Sequence, residues 1–384
     1  MAKACFADSV MMDSLQLRNL ALNGGPCALI DRSALCHNLR MVRHTAPTSK
    51  LLAVIKANAY GHGIVPVAQA LQDADAFGVA RLKEAMALRN AGITHPIVLL
   101  EGVYSHSDLD LAARLSLQPV IHSFDQLQAL ESWAGSANLA VWCKVDTGMN
   151  RLGFSADAFT VAWSRLSSSP RVKQLIVMTH LADADDRTQV RTSHQLARFQ
   201  QLTKDLGVDR SVGNSAGILA WPDARLEWVR PGLMLYGMSP FADTSAAQLE
   251  LRPAMTLVAP LIALRRLSTG EEVGYAGAWR AQRESTIGIV AVGYADGYPR
   301  HARSGTPVLV AGRIVPLIGR VSMDMIAVDL TDLIGSNGSP KVEVGDPVVL
   351  WGDGLPVEQV ALHADTISYE LVCAISQRVE NRYI

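Results

Sequence analysis

LLAVIKANAYGHG, residues 51–63, begins as an unbroken apolar run and changes at Lys56 into a stretch punctuated by Gly61 and Gly63. A short apolar run bounded by turn residues reads as a strand buried on both faces. The texture recurs in AFGVA (76–80), PIVLL (96–100), QPVIH (118–122), LAVWCKV (139–145), QLIVMTH (174–180), RSVG (210–213) and EWVR (227–230). Between these runs lie amphipathic stretches such as IVPVAQALQDA, LKEAMALRNAG and HQLARFQQLTKDLG. Strands alternating with helices, none at hairpin spacing, predict a parallel sheet. Eight such units close a (β/α)8 TIM-type barrel. A doubly wound open sheet is the alternative, but the Gly-rich phosphate loop that would follow its first strand is missing.

Past residue 250 the texture changes. TLVAPLIALRRL, STIGIVAVGY, TPVLVAG, RIVPLIG, DMIAVDL and DPVVLWG are β-rich segments separated by Gly, Pro, Asp and Asn. Helical periodicity returns in VEQVALHADTISYELVCAISQRV. The expected organisation is an α/β barrel over residues 1–250 followed by a mostly β domain over 251–384. Residues 1–22 or so break every apolar run with a polar residue and are expected to be a disordered extension, not a signal peptide.

Composition narrows the function classes. The 384 residues are 49% hydrophobic and 18% charged, enough apolar material for a large core and far from the disordered class. A net charge of −1 without like-charge runs predicts neither a nucleic-acid groove nor an anionic membrane as partner. The five cysteines are scattered with no CxxC pair, which fits a reducing cytoplasm. The ten histidines include no HExxH or closely paired ligands, so no metal is expected.

In a barrel the C-terminal ends of the strands face the active site, and polar residues gather there. Lys56 closes the first run, Lys144 the fifth and His180 the sixth; Asn214 and Ser215 follow the seventh, and Arg230 closes the eighth. Desolvation at an apolar rim favours a neutral amine, which can form a Schiff base with an aldehyde and act as a general base once released. A strand-end lysine that snorkels to solvent is the plainer alternative. The glycines flanking His62 favour the first reading, since they let backbone approach a ligand. Asn214 and Ser215 precede one helix start, and Pro231 and Gly232 precede another, LMLYG. Helix starts after strands seven and eight are the usual barrel phosphate site, although capping alone would explain Asn214. Arg230 cannot yield its proton, so a ring nitrogen facing it stays an acceptor; its simpler role is an ion pair with Glu227. Arg151, in DTGMNRLG, could fork onto a substrate carboxylate or form an ordinary loop ion pair. His180 could serve as a base, a ring-stacking group or a core histidine.

The motifs AVIKANAYGHG (53–63), KVDTGMNRLG (144–153), MTHLADAD (178–185), GNSAG (213–217), VRPGLMLYG (229–237), GYADGYPR (293–300), GRVSMDM (319–325) and ISYELVCAISQRV (367–379) occur in this order. With them the chain resembles the alanine racemases, pyridoxal 5′-phosphate enzymes built from a barrel and a β domain. The resemblance implies that Lys56 holds the cofactor as an aldimine and is the base on the D-alanine face. Tyr60, Ser215, Gly232, Leu233 and Tyr369, with Asn214 beside them, would take the phosphate. Arg230 would face the pyridine nitrogen and His180 would lie beside the ring. Tyr275, in VGYAGAW, would be the second base and would come from the partner subunit of a homodimer with shared sites. Met323 of that partner and Arg151 would hold the substrate carboxylate, and Lys144 occupies a position often carbamylated. Some relatives carry a histidine where this chain has Ser211, beside the expected position of Arg230. D-Alanine for peptidoglycan precursors is the implied product. A related racemase acting on serine or a broader set of amino acids is the alternative, and a non-catalytic cofactor carrier would have no use for Tyr275.

Overall fold

The computed structural model describes residues 25–334 and 342–384; the expected extension lies outside them. β1 is Cys27–Ile30. Eight strands then close a parallel barrel: β2 (Lys50–Val54), β3 (Ala76–Val79), β4 (Ile97–Leu99), β5 (Leu117–Ile121), β6 (Leu139–Lys144), β7 (Val172–Met178), β8 (Arg210–Ser211) and β9 (Trp228–Val229). Each overlaps one of the apolar runs, with β2, β5 and β7 starting one or two residues earlier, and β9 returns to β2 with Leu51 beside Val229. The runs are apolar throughout because both strand faces are covered: every residue of β3, β4 and β6 is buried.

The second unit holds β10 (Met255–Leu267), β11 (Glu272–Val273), β12 (Trp279–Arg280), β13 (Ser285–Val290), β14 (Pro307–Val310), β15 (Arg313–Ile318), β16 (Ile326–Asp329), β17 (Pro347–Trp351) and β18 (Glu380–Tyr383). Its large sheet runs β13-β16-β15-β14-β17-β10-β1-β18, and β13 also pairs with β10, so six of the strands curl back on themselves. Here the pattern alternates where one face meets water, as in β15, whose outward Arg313, Ile314 and Pro316 contrast with buried Val315, Leu317 and Ile318. The terminal helical segment is two helices, Val357–His363 and Ser368–Cys373, separated by Asp365 at φ 50°.

The chain does not pass simply from one unit to the other. β1, which precedes the barrel, lies in the second sheet between antiparallel β10 and parallel β18. The helix Arg32–Thr45 then carries the chain to the barrel, its start capped by Asp31, whose Oδ1 accepts from Ser33 N at 2.7 Å and Ala34 N at 3.0 Å. This crossover ties the two units, with β18 beside β1 in the second sheet. Among the described residues no helix is long and apolar enough to cross a membrane, and no cluster of three or more His, Cys, Asp or Glu could hold a metal.

Candidate active site

Lys56 follows β2 and opens a single left-handed turn: Ala57, Asn58, Ala59 and Tyr60 have φ of 53°, 53°, 54° and 54°. Each such non-glycine residue costs roughly 1–2 kcal/mol, so four in succession persist only where the surroundings hold them. Part of the hold comes from Glu84, in the first turn of the helix Leu82–Asn90. Its Oε1 accepts from Ala57 N at 2.6 Å and Asn58 N at 3.4 Å, and its Oε2 from Ala80 N at 2.9 Å and Arg81 N at 3.0 Å. Another part comes from the C-terminal segment. A Cβ on Gly61 would strike the carbonyl of Val372, and one on Gly63 would strike the Tyr383 hydroxyl. These glycines therefore seat the C-terminal segment against the lysine turn, and close approach of a ligand is not their role.

Tyr60 closes the turn and stacks on Tyr236 with ring centroids 4.6 Å apart; Tyr369 lies 5.9 Å away on another side. Burial raises the Tyr60 hydroxyl well above its ordinary range and pushes Tyr369 up to about 12, so both stay protonated donors at neutral pH. Two helix starts meet them. Asn214 Oδ1 accepts from Gly217 N at 2.9 Å at the head of the helix Ser215–Ala220. Ser215 Oγ accepts from Gly232 N at 3.1 Å and Met234 N at 3.2 Å at the head of the 3-10 turn Leu233–Tyr236. A Cβ on Gly232 would lie 2.6 Å from the Tyr60 hydroxyl oxygen, so only glycine leaves this cradle open. Hydroxyls and helix N-termini are the donor set that a phosphate takes.

Arg230 follows β9 with 4% of its surface exposed. The expected alternative partner, Glu227, is taken instead by Arg210 through contacts of 3.2 Å. Arg230 bonds neutral groups: Nη1 to Ser211 Oγ at 2.6 Å, and Nη2 to Thr179 O at 2.6 Å and Val212 O at 3.0 Å. Burial lowers it to about 10, which leaves it charged at neutral pH. The Ser211 hydroxyl is thus part of the hydrogen-bonding shell of Arg230. His180 presents Nδ1 to Arg230 Nη2 at 3.4 Å, which makes Nδ1 the acceptor and puts the ring proton on Nε2. Its burial, then the charges of Arg230 and Lys144, hold the imidazole well below its ordinary range and hence neutral.

Lys144, at the end of β6, is 7% exposed. Burial first, then the charges of Arg230 and Arg151, lower its ammonium to about 8 against the opposing pull of Asp146. Arg151 is exposed at the tip of the loop that Asp146 tightens by accepting from Gly148 N at 2.8 Å and Met149 N at 2.9 Å. Lys56, Tyr60, Lys144, His180, Asn214, Ser215, Arg230, Gly232 and Leu233 thus all sit at the C-terminal ends of barrel strands or just beyond them. Tyr369 joins them from the second unit. Tyr275 and Met323 do not: they stand 67% and 53% exposed on the second unit. No hydrogen bond or ring contact among the described residues links their side chains to the barrel cluster.

Sequence reasoning missed Glu84, Ser211 as a partner of Arg230, and Tyr236, whose hydroxyl donates to Val54 O at 3.0 Å beneath Tyr60. Tyr236 lies in a quoted motif. Glu84, three residues past Arg81, has only the spacing of a capping box to mark it.

The family model described as the N-terminal domain of alanine racemase matches residues 30–240, and that for the C-terminal domain matches residues 254–383. The chain belongs to the alanine racemase family. The alanine racemase of Photobacterium profundum is 50% identical over 360 residues, 93% of this chain and 99% of that protein. The biosynthetic alanine racemase of Pseudomonas aeruginosa superposes with a TM-score of 0.90 at 48% identity, covering 94% of this chain and 99% of its own. The Bartonella henselae alanine racemase, solved with covalently bound pyridoxal phosphate, gives a TM-score of 0.85 at 29% identity over 94% of this chain and 99% of that one. Within this family the barrel with its mostly β second unit is the shared architecture, and the residues gathered at the barrel mouth lie in the family-matched region.

Proposed function

We propose that this chain is an alanine racemase that interconverts L- and D-alanine by a two-base mechanism with pyridoxal 5′-phosphate held on Lys56. The observation that carries the reading is Arg230, a buried guanidinium at the barrel mouth bonded only to neutral groups among the described residues. A cation so placed suits a ring nitrogen that must remain an acceptor. The Gly232 cradle under the Tyr60 hydroxyl, with Asn214, Ser215, Leu233 and Tyr369 around it, suits the phosphate. When bound, the cofactor withdraws electrons from the substrate Cα and so makes its proton removable.

The remaining work belongs to side chains. Racemisation removes a proton from one face of Cα and returns one to the other, which two opposed bases accomplish without turning the substrate. Lys56 takes or returns the proton on the D-alanine face, and Tyr275 of the partner subunit serves the L-alanine face. The exposure of Tyr275 and Met323 in the single chain supports a homodimer in which each subunit completes the other's site. The barrel, β2 to β9, carries the cofactor, and 251–384, to whose sheet β1 is added, supplies the second base. Neutral His180, with its proton on Nε2, links Tyr275 of the partner subunit to Arg230. Arg151 binds the substrate carboxylate with the backbone of the partner subunit's Met323. Lys144, lowered to about 8, holds a share of neutral amine at neutral pH. That amine can add carbon dioxide, losing a proton, to give a carbamate whose negative charge orients Arg151.

Relatives of about half identity are alanine racemases, so alanine is favoured over serine or a broader set. Among the described residues Cys27, Cys143 and Cys373 form no disulfide, which suits a reducing cytoplasm in which D-alanine supplies peptidoglycan precursors. Incubation with L-alanine in deuterated water should yield D-alanine deuterated at Cα. Cofactor binding without exchange would overturn the assignment, and parallel runs with serine, arginine and lysine rank substrates. Mixed Lys56→Ala and Tyr275→Phe proteins should regain activity on reassembly; absence of rescue would count against shared sites.

A further inference from the structure

Lys56 stands at the entrance to a backbone conformation that its own residues disfavour, so its direction depends on what clamps that turn. The peptide group joining Lys56 to Ala57 donates its N–H to Glu84 Oε1 at 2.6 Å, and the next N–H reaches the same oxygen at 3.4 Å. The other oxygen, Oε2, accepts from Ala80 N at 2.9 Å and Arg81 N at 3.0 Å, where the chain leaves β3. One carboxylate therefore straps the ends of two neighbouring barrel strands together through four backbone donors. It touches no part of the phosphate cradle and none of Arg230, His180 or Lys144 by any hydrogen bond among the described residues.

We infer that Glu84 is the positioning residue for Lys56, aiming its amine at the D-alanine face of Cα while leaving the Tyr275 face alone. The inference rests on the two-base reading above. A carboxylate is suited to the task because it can only accept, and four N–H groups converge on it. Glu84→Gln keeps the shape and the helix but turns one oxygen into an amide nitrogen that cannot accept, so one strand end loses its hold.

L- and D-alanine have equal free energies, so a slower Lys56 step must lower kcat/KM equally in both directions, roughly tenfold for a displacement below 1 Å. The substrate isotope effect separates the two faces. With Cα-deuterated D-alanine, Lys56 breaks the bond to deuterium, and the isotope effect on kcat/KM should rise in Glu84→Gln. With Cα-deuterated L-alanine, Tyr275 breaks that bond ahead of the slowed step, and the isotope effect should fall toward one. Amide hydrogen exchange at Ala57 and Asn58 should quicken in the same variant with or without bound cofactor. Glu84→Asp keeps both acceptors on a shorter arm and should show the same opposed shifts, smaller in size; it carries the test if the glutamine variant does not fold. Isotope effects that move together, or unchanged exchange at Ala57 and Asn58, would overturn the inference. A wild-type enzyme with no racemisation would instead overturn the two-base reading.

Discussion

Replacing Ser211 with alanine isolates one hydrogen bond beneath Arg230. The Ser211 side chain is fully buried; its Oγ accepts from Arg230 Nη1 at 2.6 Å and donates to Trp228 O at 3.0 Å. In Ser211→Ala the Nη2 side of the guanidinium keeps Thr179 O and Val212 O, while Nη1 has no other acceptor among the described residues. A buried donor stripped of its acceptor costs about 1–3 kcal/mol, and a charged donor belongs in the upper part of that range. The small void left by one oxygen adds little, so the expected loss is about 2 kcal/mol. At roughly 2–4 °C per kcal/mol for a domain of this size, Tm should drop by about 4–8 °C. Thermal unfolding of the holoenzyme at fixed protein and cofactor concentration measures it, with Ser211→Thr as the control that restores a hydroxyl. The threonine variant should recover most of the loss, and cofactor retention should follow the same order. A drop below about 1 °C, or a threonine variant as unstable as the alanine one, would falsify the claim that Ser211 holds the guanidinium.

Two further outcomes follow from the lysine turn. Gly61→Ala places a methyl against the Val372 carbonyl at φ 81°, whereas Gly92→Ala has φ 80° with nothing within 4 Å. The first should cost about 2–4 kcal/mol through strain plus collision, the second only about 1–2 through strain, and equal Tm changes would remove the packing role assigned to Gly61. His62 is fully buried, with Nδ1 against the carbonyls of Ala59 and Tyr60, and burial lowers it to about 4 from an ordinary 6.5. The unfolded chain takes up a proton below pH 6.5 that the folded chain refuses until about pH 4. Stability present above pH 6.5 is therefore lost as pH falls through that window, about 3 kcal/mol in all. His180, also depressed, adds to the slope. The dependence of Tm on pH from 7 to 4 should flatten, without vanishing, in His62→Gln, and an unaltered slope would contradict the burial argument.

The barrel was legible because most of its strands are covered on both faces, β3, β4 and β6 completely, so burial leaves an apolar run that local pattern alone can find. The gathering of the candidate residues was legible for a related reason: Lys56, Lys144, His180, Asn214 and Arg230 sit where those runs stop, and a closed parallel barrel brings all such ends to one face. Three things were not legible. The four-residue left-handed turn after Lys56 contains three residues, two Ala and one Tyr, whose own preferences oppose it. Two of the partners of Arg230 are backbone carbonyls, which carry no residue signature. The glycines around His62 looked like ligand-facing positions, yet their neighbours come from more than three hundred residues downstream.

By itself, then, the sequence determined the order of strands, the barrel mouth at which the polar residues collect and the family to which those motifs belong. These rest on short-range pattern, since period and burial are written into neighbouring residues. Only the tertiary structure decided that β1 crosses into the second sheet, that Ser211 rather than Glu227 meets Arg230, and that Glu84 and the C-terminal segment hold the lysine turn. Those outcomes depend on contacts between distant segments, and backbone donors, acceptors and collisions of that kind leave no mark on the residues that make them.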